Sequence, residues 1–207
     1  MEPVTSKLAV VTNISDGVIK YRLTLDARVS GSNDAAVRQE RISLPKAWDI
    51  VRDIMALRKQ CRRREDVYLF VLDFRDAFYM LPLLPSERRY FTAYHAGRWY
   101  VWGRVAQGSL NGPNAFGRLS ALTGRMTQAM MSFTQARLQI YTDDPCTVLK
   151  GSLVEVKRYI AVMTLFWLAL GRGLSFHKGR WGGEVDWIGL NYRIRRDKVE
   201  VTIKEAS

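Results

Sequence analysis

Cysteine is scarce in this sequence. Only Cys61 and Cys146 occur in 207 residues, with neither the spacing of a metal site nor a disulfide framework. That excludes a disulfide scaffold and fits a reducing compartment with two buried or inert thiols. Long apolar runs are also missing. The longest, YIAVMTLFWLAL from Tyr159 to Leu170, falls short of the ~18 residues of a membrane span and has the length of a buried helix. The amino-terminal MEPVTSKLAVVTN shows no basic stretch followed by an apolar one, so no secretory leader is expected. The chain reads as a soluble, intracellular protein of cytoplasm or nucleus, with no membrane partner. It has no internal repeat and no low-complexity linker. Acidic residues are in short supply: 20 Asp and Glu face 32 Lys and Arg, a net charge of +12 that points to a polyanionic partner. With 47% hydrophobic residues the chain can bury a core, as one domain with at most a second lobe.

YRLTLD, Tyr21 to Asp26, alternates like a strand, and 28–41 is a polar loop. Ser43 and Pro45 announce a helix whose apolar positions are Ala47, Ile50, Val51, Ile54 and Leu57, and which runs out in the basic RKQCRRR of Arg58 to Arg64. Such a basic end is a solvated helix terminus or a phosphate contact. VYLFVLD, Val67 to Asp73, has buried-strand length, and 90–105 reads as a hairpin turning at Ala96 and Gly97. A long helix follows from Asn111 and Pro113, with Phe116, Leu119, Leu122, Met126, Met130 and Phe133 on one face. LQIYTDDPCTVLK, Leu138 to Lys150, reads as two strands broken by Asp143 and Asp144. Ser152 and Glu155 form a capping box opening a helix stopped by Gly171 and Gly173. LSFHK, GEVDWIGLNYRI and KVEVTI close the chain as strands.

With the 90–105 hairpin set aside, the middle of the chain runs β, α, β, β, α, β. The predicted fold class is therefore α+β, a ferredoxin-like βαββαβ arrangement with two helices on one face of an antiparallel sheet. Its first two strands run parallel, so Asp73 is expected beside Asp143 and Asp144. A DD pair by itself is usually a surface turn; the second aspartate at the partner position makes it informative. Three converging carboxylates demand cationic compensation. Magnesium suits hard oxygen ligands, and two such ions stabilise both oxygens of an in-line phosphoryl transfer. On a basic protein the expected substrate is nucleic acid.

These residues also carry a resemblance. VLDFRDAFYMLPL, Val71 to Leu83, resembles the first palm motif of reverse transcriptases. AQGSLNGPNAF, Ala106 to Phe116, is similar to their Gln-Gly motif, and YTDD to their tyrosine, variable residue, Asp, Asp. KYRLTLDARVSGSN and ERISLP resemble the fingers segments, and GLSFHKGRW and VDWIGLNYRI the lysine motif and the primer-grip hairpin. The matches keep family order from Lys20 to Ile194 and look like the retroviral and retrotransposon enzymes.

The resemblance implies an RNA-directed DNA polymerase core, a right-hand palm with a partial fingers subdomain. Asp73, Asp143 and Asp144 would be the catalytic metal ligands for two Mg2+ ions, with Mn2+ as a substitute. Arg22 and Lys20 would reach the triphosphate of a deoxynucleotide, Asp76 and Ala77 would offer backbone N–H groups, and Phe78 would exclude a 2′-hydroxyl. Gln107 and Gly108 would line the nucleotide pocket, and Lys178 would stand near the leaving pyrophosphate. Arg28 and Pro113 would meet the template, Tyr141 would pack beside the primer, and Trp187, Ile188, Gly189 and Leu190 would hold it, on an RNA or DNA template. Taken singly, Phe78 is equally a core aromatic and Arg22 a solvated side chain. The implied organisation is fingers over 1–66, palm over 67–178 with 84–105 returning to the fingers or forming a hairpin insertion, and a primer-grip-like hairpin and terminal strand over 179–207.

Thr142 stands where the family more often has Met, Val or Ala, Ala106 where Pro is common, and Ser109 where bulkier residues occur. Four residues follow Ile203, so no thumb, connection or ribonuclease H domain is expected, and other domains of a polyprotein are implied partners. Two alternatives stay open: a remnant that binds nucleic acid without turnover, and an RNA-templated RNA polymerase, against which Phe78 argues.

Overall fold

Strand β3 (Asp66–Val71) is the centre of the main sheet because both of its faces are apolar. Val67, Leu69 and Val71 lie on one side and Phe70 on the other, all buried. The computed structural model, which describes residues 4–15, 18–37 and 40–204, places β3 in a four-stranded sheet. Its order is β6 (Ala136–Tyr141), β7 (Asp144–Gly151), β3, β8 (Arg180–Gly182). Strand β7 is antiparallel to both β3 and β6, so β3 and β6 point the same way without being bonded to each other.

Helix α1 (Ala47–Arg58) covers the face of Val67, Leu69, Val71, Cys146 and Val148 with Ile50, Ile54 and Leu57. Each such burial is worth roughly 1.5–3 kcal/mol. Its cap is Lys46, whose N–H donates to the Asp49 carboxylate at 2.8 Å, so the helix begins after the expected Ser43 and Pro45. Asp53 interrupts the apolar stripe yet is only 3% exposed. Arg137 Nη1 and Gln139 Nε2 of β6 donate to it at 3.2 and 2.7 Å, which satisfies the carboxylate and ties α1 to the sheet.

The opposite face carries α3 (Leu153–Ala169), capped by Ser152 and Glu155 as the sequence pattern requires. Trp167 stacks on Phe70 (centroids 6.3 Å apart, planes at 10°) and meets Phe74 edge-on at 5.3 Å. Its Nε1–H donates at 2.8 Å to Thr127 of α2 (Gly112–Ala129). The sheet is thus covered on both faces, with α1 on the side the sequence reading left open.

Helix α2 corrects a second expectation. Of the predicted stripe, Phe116 is buried, whereas Leu122, Met126, Met130 and Phe133 are exposed. The buried side holds Ser120, Thr123 and Thr127 instead. Thr123 and Thr127 are tolerated there because each donates to the carbonyl four residues earlier, at 2.9 and 2.8 Å.

The remaining elements are antiparallel hairpins. β1 (Lys7–Ser15), unanticipated from the sequence, pairs with β2 (Val18–Asp26), and β4 (Thr92–His95) with β5 (Arg98–Val101) across Ala96 and Gly97. β9 (Glu184–Trp187), β10 (Leu190–Ile194) and β11 (Val199–Ile203) form a meander. LSFHK is not a strand: Leu174 makes one isolated bridge to Phe74, and Phe176–Lys178 is a 3-10 turn.

Two compact units result, Met1–Ile42 with Asp76–Gly117 and Ser43–Arg75 with Arg118–Ser207. Their borders place α1 with β3 in the second unit, not with the amino-terminal segment. Among the described residues, three α-helices and these antiparallel sheets make the fold α+β.

Candidate active site

The second unit gathers Asp73, Asp143, Asp144 and Lys178. Beyond β3 the chain is stitched between two loops. Leu72 N–H donates to the Pro145 carbonyl (3.3 Å) and Phe74 N–H to the Asp143 carbonyl (2.9 Å), while Ser175 N–H donates to the Asp73 carbonyl and Arg75 N–H to that of Gly173 (2.9 and 2.8 Å). The β6–β7 hairpin closes with Tyr141 opposite Asp144, leaving Thr142 and Asp143 as a two-residue turn. The aspartate doublet is therefore split: Asp143 belongs to the turn and Asp144 opens β7.

The carboxylates crowd one another. Burial, then the charges of Asp143 and Asp73 and a hydrogen bond with Asp73, push the half-buried Asp144 up to about 7 against the opposing pull of Lys178. Lys178 Nζ is ion-paired with Asp73 Oδ2. A raised carboxyl pKa holds a proton in the folded chain that the unfolded chain has already released, so Asp144 costs stability as pH rises from about 4 to 7. In chelator, the wild type is expected to lose on the order of 2 kcal/mol between pH 5 and pH 8 relative to Asp144→Asn. Parallel melting curves of the two proteins across that range would show no divergence if the crowding were absent.

As donors these carboxylates are hard oxygens, and their crowding is of the kind a divalent cation relieves, so the residues fit a magnesium site chemically. Among the described residues, no three His, Cys, Asp or Glu side chains are placed close enough together to hold a metal ion as they stand.

The primer-grip candidates lie in the same unit. Trp187 is buried, its Nε1–H donating to the Asp144 carbonyl at 3.0 Å and its ring meeting Tyr141 edge-on at 6.4 Å. It braces the start of β7 from the core rather than presenting a surface. Ile188 and Gly189 form the left-handed turn (φ 45° and 79°) before Leu190 opens β10.

Apart from Lys178, the nucleotide and template candidates belong to the first unit. Arg22 is exposed on β2 opposite Val11; Lys20 lies on the same strand, its side chain outside the described residues. Arg28 is exposed, its N–H donating to Asp26 Oδ1 at 3.2 Å, and Pro113 is exposed in the first turn of α2. Asp76 is left-handed (φ 56°) and leads into a 3-10 turn, Ala77–Met80. Ala77 is buried there and Phe78 is half-buried, its ring 5.8 Å from Phe116. The Gln107 carbonyl accepts from Leu25 N–H at 3.0 Å. Gly108 (φ 103°) is required by that contact, because a Cβ would stand 2.2 Å from the Leu25 carbonyl oxygen. The glycine permits close approach, as the motif suggests, but to the backbone of β2. Ser120 and Trp167, which hold the turn and the core behind the carboxylates, carry no distinguishing sequence signal.

Solved structures similar to this chain include foamy virus protease–reverse transcriptases. The foamy viral enzyme in complex with double-stranded DNA is 19% identical over 91% of this chain, with a TM-score of 0.65. A prototype foamy virus enzyme mutant is 20% identical over 94% (TM-score 0.66), and the enzyme in complex with an RNA/DNA hybrid 18% over 91% (TM-score 0.62). The chain spans 29%, 23% and 23% of those chains respectively, less than a third of each. No protein-family model and no curated protein matches it. The fold is reverse-transcriptase-like.

Proposed function

We propose that this chain is the fingers and palm core of an RNA-directed DNA polymerase, adding deoxynucleotides to a primer 3′-hydroxyl on an RNA or DNA template. The observation that carries this reading is the convergence of Asp73 with Asp143 and Asp144 at one end of β3 and the β6–β7 hairpin, where burial and then the neighbouring carboxylate charges raise Asp144 to about 7. The strand order β6-β7-β3-β8, with α2 following β3 and α3 following β7, supports a palm of βαββαβ topology.

In this reading Asp73, Asp143 and Asp144 hold Mg2+, or Mn2+ in its place. Ions held there would supply charge stabilisation to the attacking and leaving oxygens. Arg22 and Lys20 bind the triphosphate, the former through a planar donor fork suited to phosphate oxygens. The Lys178 ammonium group, paired with Asp73, would protonate the departing pyrophosphate. Phe78, its ring 5.8 Å from that of Phe116, would exclude a 2′-hydroxyl. Grip on the duplex would come from further domains of a polyprotein.

Primer extension on RNA and DNA templates tests the reading. Templated incorporation in Mg2+, abolished by chelation, is expected. Background signal with retained nucleic-acid binding would favour a binding-only protein, the reading supported by the lack of a ready three-ligand set among the described residues. Phe78→Ala is expected to raise GTP over dGTP incorporation by at least about tenfold. An unchanged ratio would remove Phe78 from nucleotide selection and reopen the RNA polymerase alternative.

A further inference from the structure

The turn that carries Asp143 begins with an improbable residue. Thr142 has φ 54°, a region where a β-branched side chain crowds its own backbone. Asp143 keeps a negative φ, so the left-handed position is the first of the two, where such turns ordinarily place glycine. The ladder gains nothing from threonine here. Its hydroxyl does something glycine cannot: Oγ1 lies 2.8 Å from Asp143 Oδ1 and 2.7 Å from the Tyr141 carbonyl. One proton serves two acceptors, and an ionised carboxylate is the stronger of them.

A second hydroxyl acts on the same peptide. Ser120 of α2, 4% exposed, donates to the Thr142 carbonyl. Thr123 and Thr127 bond back within the helix, whereas Ser120 directs its proton outward to the turn. Helix and hairpin approach closely here, since a Cβ on Gly124 would stand 3.1 Å from Ile140 Cδ1. The main chain around Asp143 is thus held on both sides, by Ser120 at the Thr142 carbonyl and by Phe74 N–H at the Asp143 carbonyl.

We infer that Ser120 and Thr142 are positioning residues for Asp143: Ser120 fixes the Thr142–Asp143 peptide, and the Thr142 hydroxyl fixes the rotamer of the Asp143 carboxylate. The chemistry assigned to that carboxylate rests on the polymerase reading. The geometry does not.

Two readouts separate them in the full chain: kcat and KM for single-nucleotide extension, and amide exchange at Phe74, which needs neither metal nor nucleotide. Thr142→Val is expected to lower kcat about tenfold with KM for the deoxynucleotide held within about twofold, and Thr142→Ser to restore it. Ser120→Ala should lower kcat similarly and speed Phe74 exchange. Thr142→Gly should melt higher while losing kcat, opposite signs that a merely structural role does not produce. Thr142→Val and Ser120→Ala at wild-type kcat would overturn the inference. A wild type that incorporates nothing would sink the polymerase reading; positioning then stands if Ser120→Ala speeds Phe74 exchange and falls if exchange is unchanged.

Discussion

Asp143→Asn is expected to reduce magnesium-dependent incorporation by at least about 100-fold while leaving primer–template affinity near that of the wild type. The amide keeps the shape of the side chain and an acceptor for the Thr142 hydroxyl, so the turn persists. What it removes is a negative charge, and a neutral amide oxygen is a far weaker ligand for a hard cation. The same loss relieves Asp144, whose carboxyl is raised in part by the Asp143 charge. Without metal, at pH 8, the variant should therefore melt no lower than the wild type. Loss of activity with undiminished stability distinguishes a ligand from a structural residue. Equal activity of variant and wild type would remove Asp143 from the chemistry.

Trp167→Ala should cost about 3–5 kcal/mol, close to what burial of a large aromatic is worth. Trp167 has no exposed surface, stacks on Phe70, and meets Phe74, the residue following Asp73, edge-on. Its removal opens a void behind the carboxylates and frees the Thr127 hydroxyl from its donor. Trp167→Phe keeps the stack and loses that hydrogen bond, at about 1 kcal/mol, since Thr127 still donates to Thr123. Denaturant midpoints of the three proteins give the comparison. A loss below about 1 kcal/mol for Trp167→Ala would show that α3 is not anchored to the sheet through this ring.

The approach of Asp73 to Asp143 and Asp144 was legible in the sequence because the apolar runs 67–72 and 138–142 each end at an aspartate and because the βαββαβ order makes those two strands parallel. The α3 capping box was legible because Ser152 and Glu155 act within one turn. Elsewhere the local signal was ambiguous. Helix α2 carries an apolar stripe and a hydroxyl stripe with the same period, and only the sheet decides that Ser120, Thr123 and Thr127 turn inward. Asp53 looks like a solvated acid until Arg137 and Gln139, distant in sequence, arrive to satisfy it. Asp144 reads as part of a turn, yet pairing with Tyr141 draws it into β7. Gly108 reads as room for a nucleotide, whereas the carbonyl of Leu25 is what requires it.

Direct counting of bound Mn2+ by its electron paramagnetic resonance signal tests the central claim, that Asp73, Asp143 and Asp144 hold the divalent ions of a nucleotidyl transfer. With primer–template and deoxynucleotide present, the wild type is expected to take up about two ions per chain above those held by the nucleic acid and nucleotide themselves, and Asp73→Asn to lose that uptake. Identical free-ion signals for wild type and Asp73→Asn would contradict it.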